Sequence, residues 1–177
     1  MRTVALVTLI FLFSVPAWAS ISAEKIKAAY INQFTHYISW PDSSGSKDDR
    51  LSICILGKGI VGEALKPLDK TPGAKIAVSQ LFKLNEVDGC HMLYITEPAS
   101  GSMKQTLKYL SGKPVVTISS REHFVANGGM IGFVIINNKV RLEINLDVCR
   151  RSNINISAKL LEVALVINDT SGQGGRQ

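Results

Sequence analysis

The chain carries few of the residues that reaction chemistry is built from. It has three histidines and three cysteines in 177 residues. His36, His91 and His123 lie far apart, and none has a Cys, His or carboxylate at the spacing of a metal site. There is no G-x-S-x-G elbow, and no serine has a base partner in its own motif. The formal charge is +6, yet no lysine or arginine run with interleaved aromatics occurs. Lys25, Lys58, Lys70 and Lys104 are scattered, as on a solvated basic surface rather than a nucleic-acid groove. Internal repeats are missing too. No catalytic residue, metal ligand set or cofactor can be nominated on these grounds, which favours a protein that works by binding.

Long apolar runs are also scarce. The one candidate, Val4–Val15, is about a dozen residues, short of the roughly 20 needed to cross a bilayer. Arg2 precedes it, and Pro16 and Ala17-Trp18-Ala19 follow. That is the pattern of a cleavable signal peptide over residues 1–19. No cysteine directly follows the cleavage region, which argues against a lipoprotein. The expected mature chain starts at Ser20 and is exported, soluble and not membrane-spanning. It forms a single domain over residues 20–170, with a glycine-rich, disordered tail over 171–177.

An oxidising compartment favours pairing among Cys54, Cys90 and Cys149. Three pairings are open, each leaving one thiol over. Cys54 and Cys90 both fall in strand-like runs. Cys149 follows a strand. As an odd thiol it reads as a small, partly buried side chain, or as an intermolecular or redox-active group.

Patterning predicts a helix from a Ser22 cap to Trp40, ended by Pro41. A polar loop covers Asp42–Arg50. A strand at Leu51–Leu56 and a helix at Ile60–Leu68 follow. Strands are expected at Lys75–Leu81, Cys90–Thr96 and Pro114–Ile118. A loop at Pro98–Ser102 and a helix at Lys104–Leu110 fall between the last two, and Ser120–Ala126 reads as one helical turn. Met130–Ile136 and Lys139–Leu146 flank Asn137-Asn138, a hairpin signal. A closing helix is expected over Asn155–Ile167, with Ile156, Leu160, Val163, Ala164 and Ile167 inward. The fold class is α/β: a mostly parallel central sheet with helices on both faces, then a C-terminal antiparallel hairpin followed by a helix.

Three stretches could carry function. Gly57-Lys58-Gly59-Ile60-Val61-Gly62 matches G-x-G-x-x-G between a strand and a helix. The next strand ends without an acidic residue for a ribose, so a tight turn is the better reading. Gly128-Gly129-Met130 precedes an apolar strand. Paired glycines allow positive φ or a close backbone approach, and a ligand or partner could enter there. Arg141, Glu143 and Asn145 form the polar face of a strand. They are either the solvated face of an edge strand or a recognition patch for a carboxylate, a phosphate or a partner backbone.

Taken in order, several segments resemble the YfiR family of periplasmic proteins. They are Lys27-Ala28-Ala29-Tyr30 with Phe34 and Trp40-Pro41, Ile53-Cys54-Ile55-Leu56-Gly57, Cys90-His91-Met92-Leu93-Tyr94-Ile95 and Gly128-Gly129-Met130-Ile131-Gly132-Phe133. Val140–Leu146 and Ile156–Leu161 complete the set. The resemblance implies a non-enzymatic periplasmic regulator that binds and represses the periplasmic domain of an inner-membrane diguanylate cyclase. Cyclic-di-GMP and biofilm formation would fall as a result. It also implies a homodimer and a disulfide between Cys54 and Cys90. A second bridge carried by some members, around the glycine-rich strand, has no cysteines here. The alternative is a periplasmic small-molecule sensor, with a pocket near the glycine-rich loop and Arg141 meeting an anion. A nucleotide-dependent enzyme using the Gly57 loop is the third reading.

Overall fold

The computed structural model describes residues 22–41, 50–96 and 103–168. The expected signal peptide, the residues 42–49 and 98–102 of the two predicted loops, and the predicted tail lie outside the described residues.

Ser22 caps the first helix, α1 (Ala23–Phe34), its Oγ accepting from the Lys25 N–H. The side chains that bury are Ala28, Ile31 and Phe34. The helix stops six residues before the predicted end at Trp40. Two tertiary contacts account for this. Ile38–Ser39 (β1) pairs antiparallel with Asn155–Ile156 (β8), and the Trp40 indole N–H donates to the His91 carbonyl at 2.9 Å. Both need extended backbone where sequence periodicity favoured another helical turn.

The main sheet has seven strands in the order β3-β2-β4-β5-β6-β7-β9. These are β2 (Leu51–Leu56), β3 (Ile76–Leu81), β4 (Met92–Ile95), β5 (Val116–Ser119), β6 (Ile131–Ile136), β7 (Lys139–Asn145) and β9 (Ala164–Ile167). Strands β3 to β6 run parallel to their neighbours, β6 and β7 form the antiparallel hairpin, and β9 runs parallel to β7. Helix α2 (Ile60–Asp69) connects β2 to β3, and α3 (Met103–Leu110) connects β4 to β5. The short α4 (Leu146–Arg151) and α5 (Ala158–Leu161) follow the hairpin.

The continuous apolar runs of β2 and β4 bury both their faces, as interior parallel strands do. On the first face, α1 and α2 pack over Ile53, Ile55, Met92, Val116, Ile131, Leu142 and Ile144. Phe133 stacks on Phe34 at a ring-centroid distance of 6.2 Å. On the second face, α3 and the Phe124-Val125 turn cover Cys54, Leu56, Leu93 and Ile95.

The predicted closing helix is a correction. Residues 155–167 divide into β8, α5 and β9. Ser157 caps α5 after two strand residues. The stretch Val163-Ala164-Leu165-Val166-Ile167 is rich in β-branched residues. Pairing with β7 satisfies its backbone, so the strand wins over a weak helical period. Strand β7 is therefore interior, and β9 is the edge.

The glycine-rich stretch is explained largely by packing. A Cβ on Gly129 would lie 2.3 Å from the Phe124 ring, and one on Gly132 would lie 2.8 Å from Val125 Cγ2. Gly129→Ala should therefore destabilise the protein by about 1–3 kcal/mol through overpacking. A chemical-denaturation midpoint equal to wild type would show that the Phe124 turn is not seated as described.

Candidate functional site

Alternation along β7 sets the polar face. Val140, Leu142 and Ile144 are buried in the core, while Arg141 is exposed and Glu143 half-buried. The ladder register places Arg141 beside Val134, Glu143 beside Gly132 and Lys139 beside Ile136 on β6. On the other side, Leu165 of β9 lies opposite Glu143. Side chains directly opposite in a ladder share a face. One face of the hairpin thus groups Arg141 and Glu143 with Val134, Ile136 and Leu165. Ile136 is 40% exposed and Leu165 49%, so the described helices leave this part of the sheet uncovered. Val163 and Val166 are also exposed near the open edge, Val166 on the opposite face, since it pairs with Ile144. Exposed apolar side chains beside charged ones are the kind of surface that interaction sites use.

Asn145 does not join this surface. It is only 2% exposed, and its side-chain oxygen accepts from the Val148 N–H at 3.0 Å, capping α4. The strand ends where the helix begins, so the period-two pattern stops one residue early. Met130 is also buried. Its N–H donates to Thr117 Oγ1 at 3.0 Å, and its carbonyl accepts from the Asn145 N–H. Gly128 takes φ +96 and lies at the same end of the hairpin. Arg141 is four residues along the strand from Asn145, about 13 Å at strand spacing. The expected pairing of Arg141 with a pocket at the glycine-rich loop therefore fails on distance. Arg151 lines the cavity at Gly128 instead.

The Gly57 turn behaves as a turn. Gly57 has φ +91, and the Gln80 side-chain amide donates to the carbonyls of Ile55 and Gly57. A Cβ on Gly62 would sit 3.1 Å from Ile55 Cγ2, so α2 lies close on β2. The nearest acid after β3 is Glu86. Its carboxylate accepts from the Phe82 and Lys83 N–H groups, which lower its pKa and occupy it. Among the described residues, no three His, Cys, Asp or Glu side chains come together as a metal site.

Cys54 and Cys90 form a disulfide with Cα atoms 5.9 Å apart. It ties β2 to the start of β4, and both cysteines are buried. His91 faces away from it. The His91 Nδ1 accepts from the Ser52 N–H at 3.0 Å, and its ring meets Trp40 edge-on. Cys149 is a free, buried thiol. Burial pushes its pKa up to about 12, so it holds almost no thiolate at neutral pH and is inert. That supports the packing role over the redox one.

The sequence profile of the YfiR/HmsC-like family matches residues 24–165, which spans α1 to β9. The chain belongs to the YfiR/HmsC-like family. The family is a regulatory rather than a catalytic one. A crystal structure of a conserved domain protein from Vibrio cholerae O1 biovar El Tor strain N16961 superposes with a TM-score of 0.56. The match covers 84% of this chain and 61% of that one, at 11% identity. At that identity the likeness speaks for the fold alone. No helix among the described residues of this YfiR-like chain is long and apolar enough to cross a membrane.

The surface residues that sequence patterning missed are Ile136 and Leu165. Leu165 was placed inside a helix, and its signal was the β-branched run around it. Two outcomes are expected at the cysteines. Removing the Cys54–Cys90 bridge by Cys→Ala substitution at both positions should cost about 4 kcal/mol on the chain-entropy model, read from denaturation midpoints. Cys149 should react with a thiol reagent only after denaturation. Rapid labelling of the native protein would contradict its burial.

Proposed function

We propose that this protein is an exported, non-catalytic repressor. It docks on the periplasmic domain of an inner-membrane diguanylate cyclase and holds that enzyme in its inactive state. Residues 1–19 would direct export and be removed, leaving the domain in the periplasm. The observation that carries the reading is the uncovered β6-β7-β9 face. There Arg141 and Glu143 stand among Val134, Ile136 and Leu165, within a chain of this family.

The physics required is modest. A repressor needs only to bind the inactive partner better than the active one. An exposed arginine within apolar surroundings is a common energetic anchor at interfaces. The outer edge of β9, which pairs with no strand among the described residues, could add a strand from the partner. The buried disulfide would keep the supporting sheet folded in an oxidising compartment, and its reduction would weaken the repressor. Family resemblance also implies a homodimer, and a second copy is the competing occupant of the β9 edge.

An Arg141→Glu, Leu165→Glu double variant tests the reading in cells carrying the partner cyclase. Both side chains are at the surface, so the melting temperature should match wild type. Binding should weaken by a factor of about ten to a hundred, and cellular cyclic-di-GMP should rise to the level of cells lacking the repressor. Full repression by the folded variant would remove this face from the interface. Sedimentation of the same variant distinguishes partner loss from loss of a homodimer.

A further inference from the structure

Strand β6 outruns the strand beside it. Its last pairing with β5 is Gly132 with Ser119, and β5 ends there. Strand β6 continues to Ile136 against β7. Phe133–Ile136, about 13 Å of strand, therefore borders a notch in the sheet. The notch is a cavity of about 550 Å³, bounded by residues 120–123, Ala126 and Lys27 of α1. The Asn145 N–H donates to the Met130 carbonyl. In that antiparallel register, Gly132, Val134 and Ile136 exchange their bonds with β7, and the residues between them turn N–H and C=O the other way. The Phe133 carbonyl and both backbone groups of Ile135 thus point into the notch, beyond the last β5 pairing. Among the described residues no partner bonds them.

Exposed strand edges usually carry lysine, proline or a bulge that blocks pairing. Phe133-Val134-Ile135-Ile136 has none of these, and its β-branched residues favour a strand. The Phe133 carbonyl with the N–H and carbonyl of Ile135 offers acceptor, donor and acceptor in line. Another extended backbone matches that order, whereas the groups of a helix are already bonded to one another. The two sides of the notch differ. Phe133 and Ile135 lie on the α1 side, where Phe133 stacks on Phe34 and Ile135 is 55% exposed. On the other side, Val134 shares the lining with Arg121 and Glu143. A second copy of β6 fits poorly, because it is apolar on both faces.

We propose that the notch takes an extended segment of another polypeptide, which adds as a short strand beside Phe133–Ile136 in the line that β5 leaves. Strand addition draws affinity from main-chain bonds and specificity from alternate side chains. The segment carries aliphatic side chains toward Ile135 and polar ones toward Arg121 and Glu143. The slot is distinct from the outer edge of β9, and it does not require Arg141 or Leu165 to touch a partner.

The test is amide hydrogen exchange on the purified protein. In the free protein the Ile135 amide should exchange about tenfold or more faster than those of Val134 and Ile136, which β7 protects. An acetylated Thr-Val-Thr-Val-Thr-Val peptide should slow Ile135 saturably. The same peptide with every amide N-methylated keeps the side chains without the donors, and it should bind at least about tenfold more weakly. Ile135→Pro removes the N–H that faces the notch and no ladder bond to β7. It should weaken the peptide by a similar factor, while Ile135→Thr, which keeps the N–H, should retain binding. The proposal is overturned if Ile135 is as protected as its neighbours in the free protein, or if its protection grows with protein concentration, which would assign the slot to a second copy. It is equally overturned by the absence of saturable protection, by protection centred on β9, by equal binding of the N-methylated peptide, or by undiminished affinity in a folded proline variant.

Discussion

A seven-stranded sheet presents two broad faces to water, and each must be covered or tolerated. Here α1 and α2, with the short segments after the hairpin, cover the first face from Ile53 to Ile144. The second face has α3 and the Phe124 turn, which reach from Cys54 to Val125. Among the described residues, that cover ends beyond Gly132. The apolar side chains Val134, Ile136 and Leu165 then sit beside Arg141 at the surface. Burying apolar area is the main favourable term in folding, so a fold that leaves such area open forgoes stability there. Docking on a partner would recover it.

The rest of the molecule holds that open surface in shape. The Cys54–Cys90 bridge ties the central strand β2 to the segment that leads into β4, so its constraint acts close to the middle of the sheet. Gly129 and Gly132 let the Phe124 turn lie close on β6, which fixes where cover stops. Asn145 ends β7 and starts α4 in one residue, closing the hairpin's inner end. The cavity at Gly128 and the open face thus lie at opposite ends of β6 and β7.

Much of this architecture was legible in the sequence, for identifiable reasons. Strand β2 reads from its apolar run Ile53–Leu56. The hairpin reads from Asn137 and Asn138, which take φ +50 and +57, a conformation that asparagine tolerates. The cysteine pair rested on family resemblance, since three pairings were otherwise open. The misreadings share a cause. Residues 35–40 and 162–167 have local patterns compatible with a helix, and their strand or turn state depends on partners distant in sequence, β8 and β7. Periodicity carries no information on such partners. Asn145 was different: an asparagine before Leu146-Asp147-Val148 is also an N-cap signal, and alternation along the strand outweighed it. Lys104 reads as one scattered charge in sequence, because only the fold brings α3 and α4 to one cavity.

The account stands on the uncovered sheet face being the working surface. Amide hydrogen exchange on the protein, with and without the periplasmic domain of the cyclase, reads that surface directly. Slower exchange is expected in 134–136 and 163–167, with α1 and α2 unchanged. Protection confined to α1 and α2, with β6 and β9 exchanging as in the free protein, would contradict it.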